Sequence, residues 1–449
     1  MEMEVIVIKT LQFFASLSML VLIHEFGHYI TARIFKIRVE QFYIFFNPWF
    51  SLYKRKIGET EYGIGWLPLG GYVSLAGMID ESIDKEQIER MKSEPQPWEF
   101  RSKPAWQRLI VMLAGVVMNV IMAMAIYSGV LYTWGESYVH NDDIEYGYLF
   151  DDMAERVGFR DGDRILSING EGVESLSDVA MKMLIVDSDI EVEVLRGDET
   201  RSIAVSVSDA VAMRESGEWN NIYSKVIAAP YIVEEVTSDA AREAGLLTGD
   251  RIVAINGEPT LDARQGAPLL AELKGQDVEL EVVRNDSERL VLTTTISDDG
   301  MIGIALRPTT IAMRTKEYGF WESIPAGIRY TGEQIASYWE QLKMIVNPDT
   351  KMYKELGGFI SIGNVFPDEW NWQSFWRITA LISIMLAVMN LLPIPGLDGG
   401  HALFTLWEII TRRKPSDKFL IAVQWVGMAI LFALLIYANG SDIFRFFIE

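Results

Sequence analysis

Long apolar runs occur at four places along the chain: Val5 to about Phe35, Ala105 to Trp134, Phe375 to Leu392 and Phe419 to Tyr437. Each reaches the roughly 20 residues that a helix needs to cross a bilayer. The third and fourth read as ordinary spans, whereas the first carries His24, Glu25 and His28 near its far end and the second carries Asn119. A cleaved leader fits the first run poorly: its start is acidic (Glu2, Glu4), Lys9 is the only basic residue near it, and no small-residue cleavage site follows the overlong apolar core.

Between the second and third runs the pattern changes to short alternating segments and turns, and it repeats. Ala154 to Gly170 reads AERVGFRDGDRILSING, and 87 residues later Ala241 to Gly257 reads AREAGLLTGDRIVAING. In each copy Gly-Asp marks a turn, the next residues alternate as a strand, and Asn-Gly (Asn169-Gly170, Asn256-Gly257) predicts a tight hairpin. A period this long is too great for a solenoid unit and predicts two tandem small domains. Beyond them, Ile335, Tyr338, Trp339, Leu342, Ile345 and Val346 recur at helical spacing. That stripe predicts an amphipathic helix packed on the small-domain pair or on the bilayer surface. Residues 355–366 are apolar but too short to span.

The expected fold class is therefore a polytopic α-helical membrane protein of four spans with two inserted α+β domains. Its segments are 1–35, a first span; 36–104, a connection; 105–134, a second span; 137–222 and 223–308, the two repeats; 309–373, amphipathic helices and loop; 374–400, a third span; 401–418, a connection; and 419–438, a fourth span.

Charge and composition locate the chemistry by exclusion. The 449 residues carry a net charge of −22, which excludes a nucleic-acid binder of the basic-surface kind. Residues 135–373 hold 44 Asp and Glu against 21 Lys and Arg, a balance of −23, and the rest of the chain is left at +1. The acidity belongs to the segment between spans two and three. With no cysteine, thiolate metal sites, redox pairs and cysteine nucleophiles are excluded together, so a metal must use His, Asp or Glu. Lys36, Arg38, Lys54, Arg55, Lys56, Arg101 and Lys103 in the first connection, with Arg412, Arg413, Lys414 and Lys418 in the last, predict that both face the cytoplasm. Four spans then put both termini and the acidic segment on the opposite side, periplasmic in a Gram-negative cell.

His24 to His28 reads HEFGH. On a helix, residues four apart share a face, so both imidazoles can hold one Zn2+ while Glu25 projects beside it. Two of the four histidines lie in this motif, inside a span where ionisable groups are costly and usually functional. A catalytic zinc site wants a third protein ligand, and Asp398 of NLLPIPGLDGGH (390–401) is the candidate. Pro393 and Pro395 block helix continuation, so the third span should break before Asp398, and a broken helix at membrane depth is tolerated only where protein or a cavity receives it. His401, three residues on, competes for the ligand role, although a supporting or helix-capping role suits it better. His140 lies far from this depth and defaults to a solvated or structural role.

Together, HEFGH, Pro68 to Val73 (PLGGYV), the stretch Phe100 to Asn119 and the N-x-x-P-x-P-x-L-D-G-G pattern ending at Gly400 resemble the site-2 protease family over nearly the whole chain. The two repeats, with their G-D-x-I and N-G signatures, resemble PDZ domains, with candidate groove strands at Tyr146 to Phe150 and Tyr231 to Val236. The resemblance implies an intramembrane zinc endopeptidase of the bacterial inner membrane, its active site near the cytoplasmic side. It implies His24, His28 and Asp398 as zinc ligands, Glu25 as the catalytic glutamate, and Asn390, Pro393 and Pro395 as substrate contacts. Segment 40–75 would be membrane-associated β-structure beside an unwound substrate strand. Implied partners are the bilayer and single-span membrane proteins, such as an anti-sigma factor already trimmed on its exported side or remnant signal peptides; the PDZ-like domains would bind peptide or exclude bulky substrates. Two departures stand out: Phe45-Phe46-Asn47 replaces a Gly-Phe-Gly element, and Ala114-Gly115-Val116 replaces Ala-Gly-Pro. The rival class is a membrane-anchored PDZ scaffold with a dead metal site; retention of Glu25 and Asp398 argues against it.

Overall fold

Long apolar sequence free of proline dictates the first two helices. Helix α1 spans Glu2–Ile34 and α2 spans Ala105–Trp134. At 1.5 Å per residue the 33 residues of α1 extend about 50 Å, more than the roughly 30 Å hydrocarbon core. The structure is a computed structural model, and it describes residues 2–68, 70–78, 94–216, 225–285, 287–307 and 311–447. Leu69 of the Pro68–Val73 motif and the boundaries expected at 222–223 and 308–309 lie outside the described residues.

The chain divides into two units, residues 1–135, 317–343 and 353–449 in one, and 136–316 with 344–352 in the other. In the first, α1 and α2 flank a four-stranded sheet of β1 (Val39–Tyr43), β2 (Phe46–Ile57), β3 (Thr60–Leu67) and β4 (Tyr72–Leu75), in the order β2-β3-β1-β4. Strand β1 runs parallel to β3 and antiparallel to β4, which leaves β4 at an edge. Ile37, Val39 and Leu75 share a buried cluster with Ala32 of α1 and Val111 and Met112 of α2. The sheet is thereby anchored at the end of α1 that carries HEFGH.

The second unit builds one plan twice. After β5 (Glu136–Val139), the first copy has α3 (Asp152–Val157), β6 (Arg164–Ile168), β7 (Glu171–Gly172), α4 (Leu176–Leu184), β8 (Ile190–Arg196) and β9 (Glu199–Val205), followed by α5 (Val207–Glu215). The second has β10 (Val233–Val236), α6 (Asp239–Glu243), β11 (Arg251–Ile255), β12 (Glu258–Pro259), α7 (Ala263–Glu272), β13 (Asp277–Arg284), β14 (Glu288–Thr295) and β15 (Ile304–Leu306), after which β16 (Met313–Lys316) pairs with β5. Sheet orders β7-β6-β8-β9 and β12-β11-β13-β14 are the same topology. Alternation builds each core: Ile190, Val192 and Val194 are buried while Glu191 and Glu193 face outward. Asn169-Gly170 and Asn256-Gly257 all have positive φ, as a two-residue hairpin requires.

The repeated Gly-Asp has a further cause. Asp163 and Asp250 are buried, accept a backbone N–H from Arg160 and Leu247 at 2.9 Å, and pair through both oxygens with Arg196 and Arg284 at 2.7 Å. The two segments expected as equivalent groove strands differ: β10 pairs with β15, whereas Tyr146–Phe150 forms no strand and Tyr148 makes an isolated bridge to Val226.

The first unit resumes with all but the last turn of α8 (Phe320–Val346), then α9 (Phe359–Asn364), α10 (Trp372–Leu391), α11 (Asp398–Thr411) and α12 (Asp417–Phe447). Part of the amphipathic stripe is taken up inside the helical unit itself. Ile335, Tyr338 and Leu342 of α8 pack on Ala123, Ile126, Tyr127 and Val130 of α2 and on Ala380, Ile384 and Val388 of α10. Gly327 allows this approach, since a Cβ there would lie 2.3 Å from Ser128 Oγ. Segment 401–418, expected as a connection, is largely the helix α11. Among the described residues four helices, α1, α2, α10 and α12, are long and apolar enough to cross a membrane, consistent with a multi-pass membrane protein with added β-sheet domains.

Candidate metal centre

Two helices bring one cluster together. His24 and His28 occupy successive turns of α1, and Asp398 opens α11 after a break in the third span. The break follows from sequence: α10 ends at Leu391, Pro393 and Pro395 withhold backbone donors, and Gly396 takes a φ of 101° that favours glycine. Gly399 and Gly400 let the new helix start against the old one, because a Cβ on either would fall 2.3 Å from Leu391 O or 2.5 Å from Ile394 O.

The ligand atoms form a near-equilateral triangle. His24 Nε2 and His28 Nε2 are 3.2 Å apart, and Asp398 Oδ2 lies 3.1 Å from the first and 3.2 Å from the second. Zinc with N/O bonds of about 2.0–2.1 Å in a tetrahedron separates its ligand atoms by about 3.3 Å. His28 Nδ1 is 2.8 Å from Val111 O, so it carries the proton and leaves Nε2 as a bare lone pair. A carboxylate oxygen with no hydrogen-bond donor thus faces imidazole lone pairs in a buried site. Such a cluster of acceptors fits a cation, and the donor set fits zinc.

Packing makes room for it. Gly115 of α2 lies against both rings, and a Cβ there would meet His28 Nε2 at 2.4 Å and His24 Nε2 at 2.7 Å. A Cβ on Gly27 would likewise stand 2.5 Å from Ala114 O. Glu25 interacts electrostatically with His24, His28 and Asp398 and accepts a hydrogen bond from the backbone of Val73 on β4. Asn390 Nδ2 lies 3.5 Å from His24 Nε2. Pro393 and Pro395 lie in the break itself, the first exposed and the second partly buried. Pro395 also receives α12, where a Cβ on Gly427 would overlap Pro395 O at 1.6 Å. His401 does not join the triangle; it sits within α11, where its carbonyl accepts from Thr405 Oγ1. His140, in the other unit, caps a short turn by accepting from Asp142 N.

Sequence reasoning did not place Val111, Gly115 or Asn119 at this site. An asparagine amid an apolar run was the available signal for Asn119; the others depend on the register of α1 against α2, which hydropathy does not encode.

Membrane-type helices that converge on a zinc-type triad, with a carboxylate adjoining one ligand in sequence, define a class: membrane-embedded metallohydrolases. The sequence model of Peptidase family M50 matches residues 12–434. A protein of Xylella fastidiosa (strain 9a5c) is 28% identical over 451 residues, 95% of this chain and 97% of its own length. One from Vibrio cholerae is 29% identical over 96% of this chain and 98% of its own, and one from Treponema pallidum 26% identical over 95% and 97%. All three carry the words zinc metalloprotease in their names. The chain belongs to Peptidase family M50, the site-2 protease family. It is a zinc metallopeptidase of the membrane.

Proposed function

We propose that this chain is an endopeptidase that cuts single-span membrane proteins within or at the edge of the bilayer, in regulated intramembrane proteolysis. His24, His28 and Asp398 would hold the zinc ion. The observation that carries the reading is the 3.1–3.2 Å triangle of these three ligand atoms, two of them on α1, a helix of membrane-spanning type, and the third on α11, which follows the break after α10.

Bound there, zinc supplies a Lewis acid that polarises a carbonyl and makes water a better acid. Glu25 takes the proton of the attacking water and returns it to the leaving amine. Its hydrogen bond from Val73 aims the carboxylate, and it ties the edge strand β4 to the catalytic group. A substrate helix must unwind before its carbonyl is accessible, and the sheet that reaches Glu25 through β4 would lie along the freed backbone. Asn390, next to His24, serves as a clamp for that strand through its amide. Pro393 and Pro395 keep the wall beside it non-helical, so its backbone stays extended.

Residues 137–222 and 223–308 act as PDZ-like domains on the exported face, where they bind peptide or exclude bulky substrates before the membrane is reached; their shared sheet order supports the pairing. The basic connections support a metal near the cytoplasmic side of a bacterial inner membrane, with both termini in the periplasm. An anti-sigma factor after a first exported cut, or a remnant signal peptide, has the required single span and short head.

The test compares zinc content and cleavage of a single-span substrate for wild type and Glu25→Gln. Cleavage lost with zinc kept is the expected result; retained cleavage would remove Glu25 from the mechanism.

A further inference from the structure

The proposed ligation uses His24 but leaves open what holds its ring. His28 donates Nδ1–H to Val111 O, which fixes its tautomer. His24 has no backbone carbonyl in the corresponding place; its Nδ1 lies 3.3 Å from Nδ2 of Asn119. Asn119 is fully buried on α2, and its Oδ1 has no hydrogen-bond partner among the described residues. Its backbone is fixed as well, since Asn119 O accepts from Ser383 Oγ of α10 at 2.8 Å.

A metal-binding Nε2 needs its lone pair, so a neutral His24 must carry its proton on Nδ1, and that N–H needs an acceptor. With Nδ2 toward the ring, an NH2 group faces this N–H while a buried carbonyl oxygen goes without a donor among the described residues. The two ends of a side-chain amide have nearly the same size, and a half-turn about the terminal torsion exchanges them without repacking. We infer that Asn119 Oδ1 accepts the Nδ1–H of His24 and so sets the tautomer and plane of the first zinc-binding imidazole. Asn119 is a positioning residue, and the inference rests on His24 being a metal ligand.

The distinction between acceptor and donor can be tested without turnover. Zinc affinity of the full-length protein, purified in detergent, is measured by competition with a chromogenic chelator for wild type, Asn119→Asp, Asn119→Leu, Ser383→Ala and His24→Ala. Aspartate keeps the acceptor and has no NH2 to leave unpaired, so Asn119→Asp should bind zinc at least as well as wild type. Asn119→Leu should bind about 10- to 100-fold more weakly, the range typical of lost outer-sphere partners. Ser383→Ala, which loosens the same helix pair without touching the ring, should leave affinity unchanged. Equal losses in Asn119→Asp and Asn119→Leu would overturn the acceptor role, as would full affinity in Asn119→Leu. Unchanged affinity in His24→Ala would instead overturn the ligand assignment beneath it.

Discussion

Gly115 shows how little space the metal centre leaves. The two imidazoles approach α2 so closely that a methyl group would stand within 2.4–2.7 Å of their ligating edges. Gly115→Ala should therefore displace at least one ring and reduce bound zinc by tenfold or more while the protein still purifies as a folded species; full metal content in the variant, measured by atomic emission, would contradict the packing described. Asp398→Asn should likewise lower zinc affinity, whereas unchanged content would redirect attention to His401. At this scale the sequence was legible where chemistry is written locally. HEFGH puts two imidazoles on one helical face with a carboxylate beside them, and the proline-glycine sequence around Asp398 announces a broken span. Gly115 and Asn119 were not legible as site residues, because their role depends on contacts about 90 residues distant in sequence.

Among the elements, the paired repeats rest on buried carboxylates at matching turns. Asp250 is 1% exposed and Arg284 is its bidentate partner, so Arg284→Met strands a charge in the core. The expected loss is about 2 kcal/mol, moderated because Arg284 keeps some contact with water; thermal unfolding of the full-length protein would measure it. Asp262 adds a pH dependence. Burial alone would raise its carboxyl, but hydrogen bonds from the Arg264 side chain and from the Arg264 and Ala229 amides outweigh that and hold it below the usual carboxylate range. A depressed folded value contributes stability above the unfolded value of about 3.9 and loses it as pH falls through the folded one. Asp262→Asn should accordingly flatten the acid limb of the unfolding temperature below about pH 4, and an unaltered limb would refute the assignment. Hairpins and strands here were readable from Asn-Gly turns and alternation. The partner of α8 was not, because an apolar stripe declares that something covers it without saying what; here Tyr127 and Tyr330 meet edge to face at 4.8 Å.

For the whole molecule, the hydropathy pattern and the division of charge tell one story. A nearly neutral set of apolar helices carries the chemistry, and an acidic pair of small domains carries most of the charge. If those domains screen substrates, deleting residues 137–308 should leave short-headed substrates cleavable and admit bulky ones, and unchanged selectivity would count against screening. The central claim is that the bond is cut where the triad lies, inside a span. Its most direct measurement reconstitutes the purified protein with zinc and a single-span substrate in lipid vesicles and maps the new termini by mass spectrometry. The account predicts one cluster of cuts within the substrate's apolar segment, nearer its cytoplasmic end, absent in Glu25→Gln. Cuts confined to the water-exposed parts of the substrate would contradict it.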